Sequence, residues 1–246
     1  TTRFNALEEV TKVIPENREG KIFVVMMNYG EYDIDDLPDY DGSTVDGVRV
    51  TFHKKDLKDA LNLCKRIQDK GYLVFIQAMV SLSYTDEEFL SLIRLVNEFE
   101  PYAFYIVDSF GMMKSKDLTR LFYMIEHNLK ESIWIGFHSH NNMQLAYSNA
   151  QKLTTVQTSR NLIIDSSVMG MGRGAGNLNT ELFVDYLNEN AGKHYQIKPL
   201  LTIIDKILTP FYERDYWGYS LPNYISATHN AHPNYAGYLD KKKTLT

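Results

Sequence analysis

Two histidines, His138 and His140, stand at the end of the apolar segment Ile133–Asn142. Side chains alternate along a β-strand, so an extended segment places Trp134, Gly136 and both histidines on one face. Residues two apart on a strand are separated by about 6.6 Å of rise. Both imidazoles can then reach one ion over metal–nitrogen bonds of about 2.0–2.2 Å. The pair indicates either a divalent-metal site or two surface histidines at a strand-to-loop transition.

Two aspartates end other apolar segments. Asp108 closes the strand-like run that begins at Tyr105, and Asp165 follows Ile163 and Ile164. A carboxylate at the end of a strand can orient a metal-bound histidine or bind substrate. The same position suits a turn residue or a helix N-cap, and both alternatives stay open for Asp108.

The segment Gly170–Asn177 has glycine at every second position. It is not the dinucleotide-binding fingerprint, because Ala175 stands where that spacing requires glycine. Glycine lets the backbone approach a ligand closely, and loops after the last strands of (β/α)8 barrels often bind anions. Since Arg173 and Asn177 add polar side chains, the segment indicates a binding loop more than a flexible connector.

Apolar, β-branched runs alternate with helical patterns along the chain. Helical spacing follows residues 57, 89, 118 and 180, the second helix behind the capping-box pair Thr85 and Glu88. Strict alternation predicts a parallel α/β sheet, either doubly wound or closed as a (β/α)8 TIM barrel. The predicted strands are Ile22–Tyr29, Gly47–His53, Leu73–Met79, Ala103–Asp108, Ile133–His140 and Asn161–Asp165.

Polar residues on the strands favour the barrel. Arg49, His53 and Gln77 lie on the strand faces opposite the apolar side chains, where a barrel has its mouth and binds substrate. A doubly wound sheet would bury apolar side chains on both faces. The six predicted strands are two short of a closed barrel, and the segment before Ile22 has a helical pattern. The first two strands are therefore expected to precede Thr1.

Composition excludes several classes of protein. The chain has 246 residues, 44% of them hydrophobic, and a net charge of −5, which predicts a globular protein with a large core and no nucleic-acid or membrane partner. The single cysteine, Cys64, lies on the apolar side of a helical pattern, so it is predicted to be a core residue rather than a nucleophile. Without an internal disulfide, the expected location is the reducing cytoplasm.

Three motifs resemble one enzyme family. The segment Gly136–Asn142 resembles the H-x-H segment of the metal-dependent (β/α)8 lyases and aldolases of the hydroxymethylglutaryl-CoA lyase type. Val107–Met113 and Ile163–Asn177 are similar to the sixth strand and the last strand with its glycine-rich loop in the bacterial 4-hydroxy-2-oxovalerate aldolases. The similarity runs in register from about Ile22 to Leu187.

The resemblance implies a divalent-metal aldolase that acts on a 2-keto acid. It implies that His138 and His140 hold Mn²⁺ or Mg²⁺ and that Asn177 is a further ligand, with the metal acting as a Lewis acid on the enolate. Asp108 is then a catalytic candidate, and Arg173 and Asp165 are candidates for binding substrate. The family's Asp-x-Thr-x-Arg-Asp-Gly signature, which supplies a metal aspartate and a catalytic arginine, is absent. This fits a barrel that lacks its first strands and leaves open that the chain is an inactive, truncated piece of the enzyme.

The chain after the barrel is expected to be a separate extension. Residues 1–191 are assigned to the N-terminally incomplete barrel and residues 192–246 to a helical and aromatic extension. A helix is predicted at Leu200–Leu208 and is expected to break near Pro210, with turns after it and exposed turn histidines at positions 229 and 232. In the resembled aldolases this region contacts a dehydrogenase partner and supplies a catalytic tyrosine, for which Tyr219 and Tyr224 are candidates. A homo-oligomer is expected.

Two other functions stay open. A Claisen-type enzyme that condenses an acyl-CoA with a 2-keto acid would use the same metal site. A non-catalytic barrel that has lost its metal would bind a small acid or a partner instead.

Overall fold

Six parallel strands alternate with helices, as the sequence predicts. The computed structural model describes residues 4–242, without the side chains of residues 240 and 241. Within that range the strands are hydrogen-bonded in chain order. They are β1 Val24–Asn28, β2 Gly47–Phe52, β3 Leu73–Ala78, β4 Ala103–Asp108, β5 Trp134–Ser139 and β6 Leu162–Ile164.

The helices follow the predicted apolar stripes. Helix α3 begins with the predicted capping box, in which Thr85 Oγ1 accepts from the Glu88 backbone N–H at 3.2 Å and a Glu88 carboxylate oxygen accepts from the Thr85 N–H at 2.8 Å. No helix among residues 4–242 has the length and apolar character needed to cross a lipid bilayer. The helices before the extension are α1 Leu7–Thr11, α2 Leu57–Asp69, α3 Asp86–Phe99, α4 Ser115–Asn128, α5 Ala146–Thr154 and α6 Thr180–Asn190.

The chain divides into two compact units. The first runs up to Ile106 and includes residues 124–136, and the second comprises residues 107–123 and the chain from Phe137 onward. The predicted division at residues 191 and 192 falls inside the second unit and stays a prediction.

A layer of polar and aromatic side chains lies on the strands of the first unit. With the Gln77 amide oxygen facing the guanidinium, it accepts from Arg49 Nε at 3.1 Å and from Arg49 Nη2. The Arg49 guanidinium carbon lies 5.2 Å from the centre of the Tyr105 ring. On β5, a Cβ at Gly136 would come within 2.4–2.5 Å of the Tyr105 ring. Glycine at position 136 therefore makes room for the tyrosine that packs on Arg49.

The helix around Pro210 continues where a break was predicted. Helix α7 Lys198–Ile203, a π-helical turn Ile204–Leu208 and helix α8 Thr209–Arg214 follow without interruption. Proline lacks the N–H of a regular helical hydrogen bond, and a π-turn shifts the bonding register there. The Thr209 hydroxyl also donates to the Ile204 carbonyl at 2.8 Å. The predicted break at Pro210 is wrong because the proline lies in the first turn of α8, directly after the π-turn, where a missing N–H is tolerated.

The turns predicted after Tyr216 give way to a helix. Helix α9 spans Leu221–Thr228, with Ser220 as its N-cap and Pro222 in its first turn. Helix α10 spans Asn234–Lys242. Ser220 as N-cap and Pro222 in the first turn are local signals of this helix start within an aromatic, turn-rich segment.

Replacing Gly136 tests the polar layer. Gly136→Ala should lower the free energy of unfolding by about 1–3 kcal/mol, because the new methyl group meets the Tyr105 ring. Gly237→Ala is the matched control, since nothing lies within 4 Å of a Cβ there and the residue is inside α10. That variant should gain roughly 0.5–1 kcal/mol. Urea unfolding of both variants measures the difference, and equal effects would contradict the packing described.

Cys64 should be unreactive in the folded protein. Its side chain is 0% exposed, and burial raises the pKa of the thiol to about 12. Alkylation by iodoacetamide at pH 8 should therefore proceed only as fast as the protein unfolds. Labelling in native buffer at the rate of a free cysteine would contradict this assignment.

Candidate metal centre

Both histidines of the H-x-H segment are held by hydrogen bonds at Nδ1. His138 Nδ1 lies 2.9 Å from a carboxylate oxygen of Asp165, and His140 Nδ1 lies 3.2 Å from the backbone carbonyl of Asp108. These partners accept hydrogen bonds, so each neutral ring carries its proton on Nδ1. The Nε2 lone pair of each ring is then available to a metal ion.

The two rings stand in a geometry that fits a shared ion. Their centres are 5.1 Å apart and their planes are at 83°. A ring centre lies about 3.2 Å from an ion bound at Nε2. Two rings that share an ion at angles between roughly 90° and the tetrahedral value therefore have centres about 4.5–5.2 Å apart. The separation of the His138 and His140 rings falls in this range.

Asn177 brings an unsatisfied oxygen to the same part of the second unit. An isolated antiparallel bridge pairs Asn177 with His140. The Asn177 amide nitrogen donates to the Met171 carbonyl at 3.1 Å, and its Oδ1 is buried without a hydrogen-bond donor among the described residues. Buried acceptors normally have a partner, and an amide oxygen is a good ligand for a divalent cation.

The donor set lacks a carboxylate. Residues 4–242 contain no group of three or more His, Cys, Asp or Glu side chains placed to hold a metal ion. The residues that fit are His138, His140 and Asn177, which offer two imidazole nitrogens and one amide oxygen. Mg²⁺ and Mn²⁺ prefer oxygen ligands, whereas imidazole suits cations such as Zn²⁺. With two imidazoles and one amide oxygen, a Mn²⁺ or Mg²⁺ ion would need further oxygen ligands from water or substrate.

Asp108 fills the turn role with its side chain and orients His140 with its backbone. Its carboxylate accepts from the N–H groups of Met112 and Met113, each at 3.0 Å, and the side chain is 3% exposed. Burial raises the pKa of this carboxyl to about 6. The Asp108 carbonyl accepts from His140 N at 3.1 Å as well as from Nδ1. A catalytic role for Asp108 stays a prediction, as does substrate binding by Asp165, whose carboxylate orients His138.

Asn142 is a site residue that the sequence reasoning missed. It is 0% exposed, and its Oδ1 accepts from the Ala175 N–H at 2.9 Å. Next to it, Asn141 N donates to the Gly176 carbonyl at 2.9 Å. The two asparagines thus join the segment after β5 to the glycine-rich loop. The signal was in the motif, since Asn142 directly follows the metal-ligand candidates.

The surroundings of His140 disfavour its charged form. Burial lowers the pKa of His140 to about 3, repulsion from the cationic forms of His138, Arg173 and His232 acts in the same direction, and the hydrogen bond to the Asp108 carbonyl opposes it. The His232 ring packs edge-on against Phe110, with centres 6.1 Å apart, and is partly buried. The prediction of an exposed turn residue is confirmed for His229, while His232 also lies outside the helices, between α9 and α10, but is partly buried rather than exposed.

The other predicted site residues belong to several elements of the two units. Arg49 and Gln77 belong to the polar layer of the first unit. His53 lines a cavity of about 390 Å³ in that unit with Lys54 and Lys55. Tyr219 and Tyr224 are exposed and lie in the second unit. Tyr219 directly precedes Ser220, the N-cap of α9, and Tyr224 lies within α9. Their roles stay predictions.

Comparison with known proteins gives one family and several relatives. A family model described as HMGL-like matches residues 48–205. The 4-hydroxy-2-oxovalerate aldolase of Shewanella halifaxensis is 26% identical over 208 residues, which are 84% of this chain and 60% of that protein. The chain thus spans about 60% of the length of this curated relative.

Two solved structures share the fold. The N-terminal domain of a candidate aldolase from Bacteroides vulgatus superposes with a TM-score of 0.75 at 27% identity, over 90% of this chain and 73% of that one. Hydroxymethylglutaryl-CoA lyase from Pseudomonas aeruginosa superposes with a TM-score of 0.65 at 16% identity, over 91% and 79%. The barrel-like alternation of strands and helices predicted from the sequence is confirmed.

Replacing His140 should change how stability depends on pH. In the metal-free protein, the unfolded chain protonates His140 near its ordinary pKa of about 6.5, whereas the folded protein does so only at about 3. The folded state therefore loses stability as the pH falls from about 6 to about 4, by up to roughly 1.4 kcal/mol per pH unit. His140→Gln should lack this loss.

Urea unfolding in EDTA at several pH values measures the effect. As the pH falls, wild type should lose unfolding free energy that His140→Gln keeps. The variant should therefore become more stable relative to wild type. His229→Gln, which alters an exposed histidine, should follow wild type. Parallel curves for His140→Gln and wild type would contradict the depressed pKa.

Proposed function

The chain belongs to the HMGL-like family, and from this membership and the site geometry we propose that it is the barrel part of a divalent-metal aldolase or lyase. Its reaction would break or form a carbon–carbon bond next to a 2-keto acid. The cation would be held by His138, His140 and Asn177.

One observation carries the proposal: two adjacent imidazoles are both turned so that Nε2 is available. A surface pair of histidines would not need a buried carbonyl on one ring and a carboxylate on the other. Such partners raise the basicity of metal-bound imidazoles and fix their direction. The buried, unsatisfied oxygen of Asn177 supports the same interpretation.

The cation, when bound, would supply a Lewis acid for the negative charge that develops on the keto oxygen of the substrate. The residues of the site would orient the ligands, bind the substrate and transfer protons. Asp165 and the Asp108 carbonyl keep the protons of His138 and His140 on Nδ1. Arg173 is exposed in the glycine-rich loop, where its guanidinium suits the carboxylate of a 2-keto acid. The hydroxyl of either Tyr219 or Tyr224 would act as the general acid or base that donates or accepts a proton.

A non-catalytic binding module is the second candidate. The observation that favours it is the missing carboxylate ligand, since among the described residues no group of three or more His, Cys, Asp or Glu side chains is placed to hold a metal ion. A barrel with this incomplete set would bind a small acid without reacting.

Metal binding and turnover test the proposal together. Titration with Mn²⁺, followed by electron paramagnetic resonance, should show one site per chain. His138→Ala should abolish it, and Asp165→Asn should weaken it by about 10- to 100-fold, because the ring loses its orienting partner. His229→Ala is the control and should bind as wild type does.

The same Mn²⁺-loaded protein should release pyruvate from 4-hydroxy-2-oxovalerate, measured with lactate dehydrogenase and NADH. Release that depends on His138 supports the aldolase. Release of CoA from acetyl-CoA and a 2-keto acid would instead identify a condensing enzyme. Failure to bind Mn²⁺, with His138→Ala indistinguishable from wild type, would favour the binding module.

A further inference from the structure

Trp217 lies between α8 and α9. It bonds to Met169, directly before the glycine-rich loop, and lies beside Gly176, near the end of the loop. Its indole N–H donates to the Met169 carbonyl at 3.0 Å. At the other end of the loop, a Cβ on Gly176 would lie 3.4 Å from Trp217 Cδ1. The neighbouring Gly218 N donates to the Gly174 carbonyl at 3.4 Å. One side chain and the next backbone group thus span the loop.

The backbone that Trp217 holds is strained. Met169 has φ 58° and ψ 20°, a left-handed conformation that is uncommon for residues other than glycine. A residue in such a conformation persists only where its surroundings fix it. Met169 is fixed on both sides, since its N–H donates to a Glu181 carboxylate oxygen at 2.9 Å and its carbonyl accepts from Trp217.

Trp217 is itself packed in place. The Tyr212 ring meets it edge-on, with centres 4.9 Å apart and planes at 82°, and Tyr216 packs on Tyr212 at 5.0 Å. The indole is partly buried. This aromatic group fixes the direction of the indole N–H.

Two hydrogen bonds to carbonyls of the glycine-rich loop fix the position of Asn177. Asn177 N donates to the Gly170 carbonyl at 2.9 Å, and its side-chain nitrogen donates to the Met171 carbonyl. Gly170 and Met171 directly follow the strained Met169. A change at Met169 would therefore move the Gly170 carbonyl, which holds the Asn177 backbone, and the Met171 carbonyl, which orients the Asn177 side-chain amide.

We propose that Trp217 is a positioning residue of the site, which holds the turn at Met169 beside Gly176 so that the Met171 carbonyl keeps the Asn177 amide, with its unsatisfied Oδ1, in place. The metal-binding part of this proposal rests on the proposed function. The structural part stands on the loop alone.

Hydrogen exchange tests the structural part. Trp217→Phe removes the indole N–H and keeps an aromatic ring, so amides in peptides that cover residues 166–180 should exchange about five- to tenfold faster, as measured by mass spectrometry. Trp134→Phe is the matched control: Trp134 packs on Tyr102 at 5.0 Å in the first unit, and this variant should leave those peptides unchanged. Equal exchange in wild type and Trp217→Phe would overturn the proposal.

A measurement on the intact indole covers the case in which Trp217→Phe does not fold. The chain has two tryptophans, so ¹⁵N labelling gives two indole signals, and the one that remains in Trp134→Phe belongs to Trp217. That N–H should exchange slowly with water. Exchange as fast as that of a free indole would contradict the hydrogen bond to Met169.

Mn²⁺ titration tests the metal-binding part. Trp217→Phe should weaken Mn²⁺ binding by about three- to tenfold, while Trp134→Phe should not. If wild type and Trp134→Phe both fail to bind, the proposed function fails and the exchange result still decides the role of Trp217. Equal Mn²⁺ affinity in wild type and Trp217→Phe would refute a link from Trp217 to Asn177.

Discussion

The candidate site depends on the hydrogen bonds at Nδ1 of His138 and His140. Each bond fixes both the direction of a ring and the nitrogen that carries its proton. Without these hydrogen bonds the rings could rotate or present N–H groups to a cation. Asn177 would then have no pair of imidazole nitrogens with which to share that cation. The fold supplies the partners, because β4, β5 and β6 end beside one another in the chain-ordered sheet.

Hydrogen bonds between the surrounding loops hold the segments next to His138 and His140 together. Asn142 and Asn141 join the segment after β5 to the glycine-rich loop, and the loop carries Asn177 back to His140. Trp217 holds the far side of the same loop. Glycines 172 and 176 are needed here, because a Cβ at either position would collide with the Asn177 amide or the Gly170 carbonyl.

Much of this arrangement could be predicted from local patterns. Strand alternation placed His138 and His140 on one face, and Thr85 with Glu88 marked the start of α3. Contacts between distant segments could not be predicted in this way. Nothing local shows that the Asp108 carbonyl meets His140, that Asn142 turns inward, or that Trp217 reaches Met169. The break predicted at Pro210 does not occur because a π-turn precedes it and places the proline in the first turn of α8.

The most direct test of the account is the tautomer of the two histidines in the metal-free protein, read from the ¹⁵N chemical shifts of labelled imidazoles at neutral pH. In their neutral forms, His138 and His140 should both carry their proton on Nδ1 and leave Nε2 unprotonated. A neutral ring with its proton on Nε2 would contradict the site described here, because that ring could not offer a lone pair toward a cation shared with its neighbour.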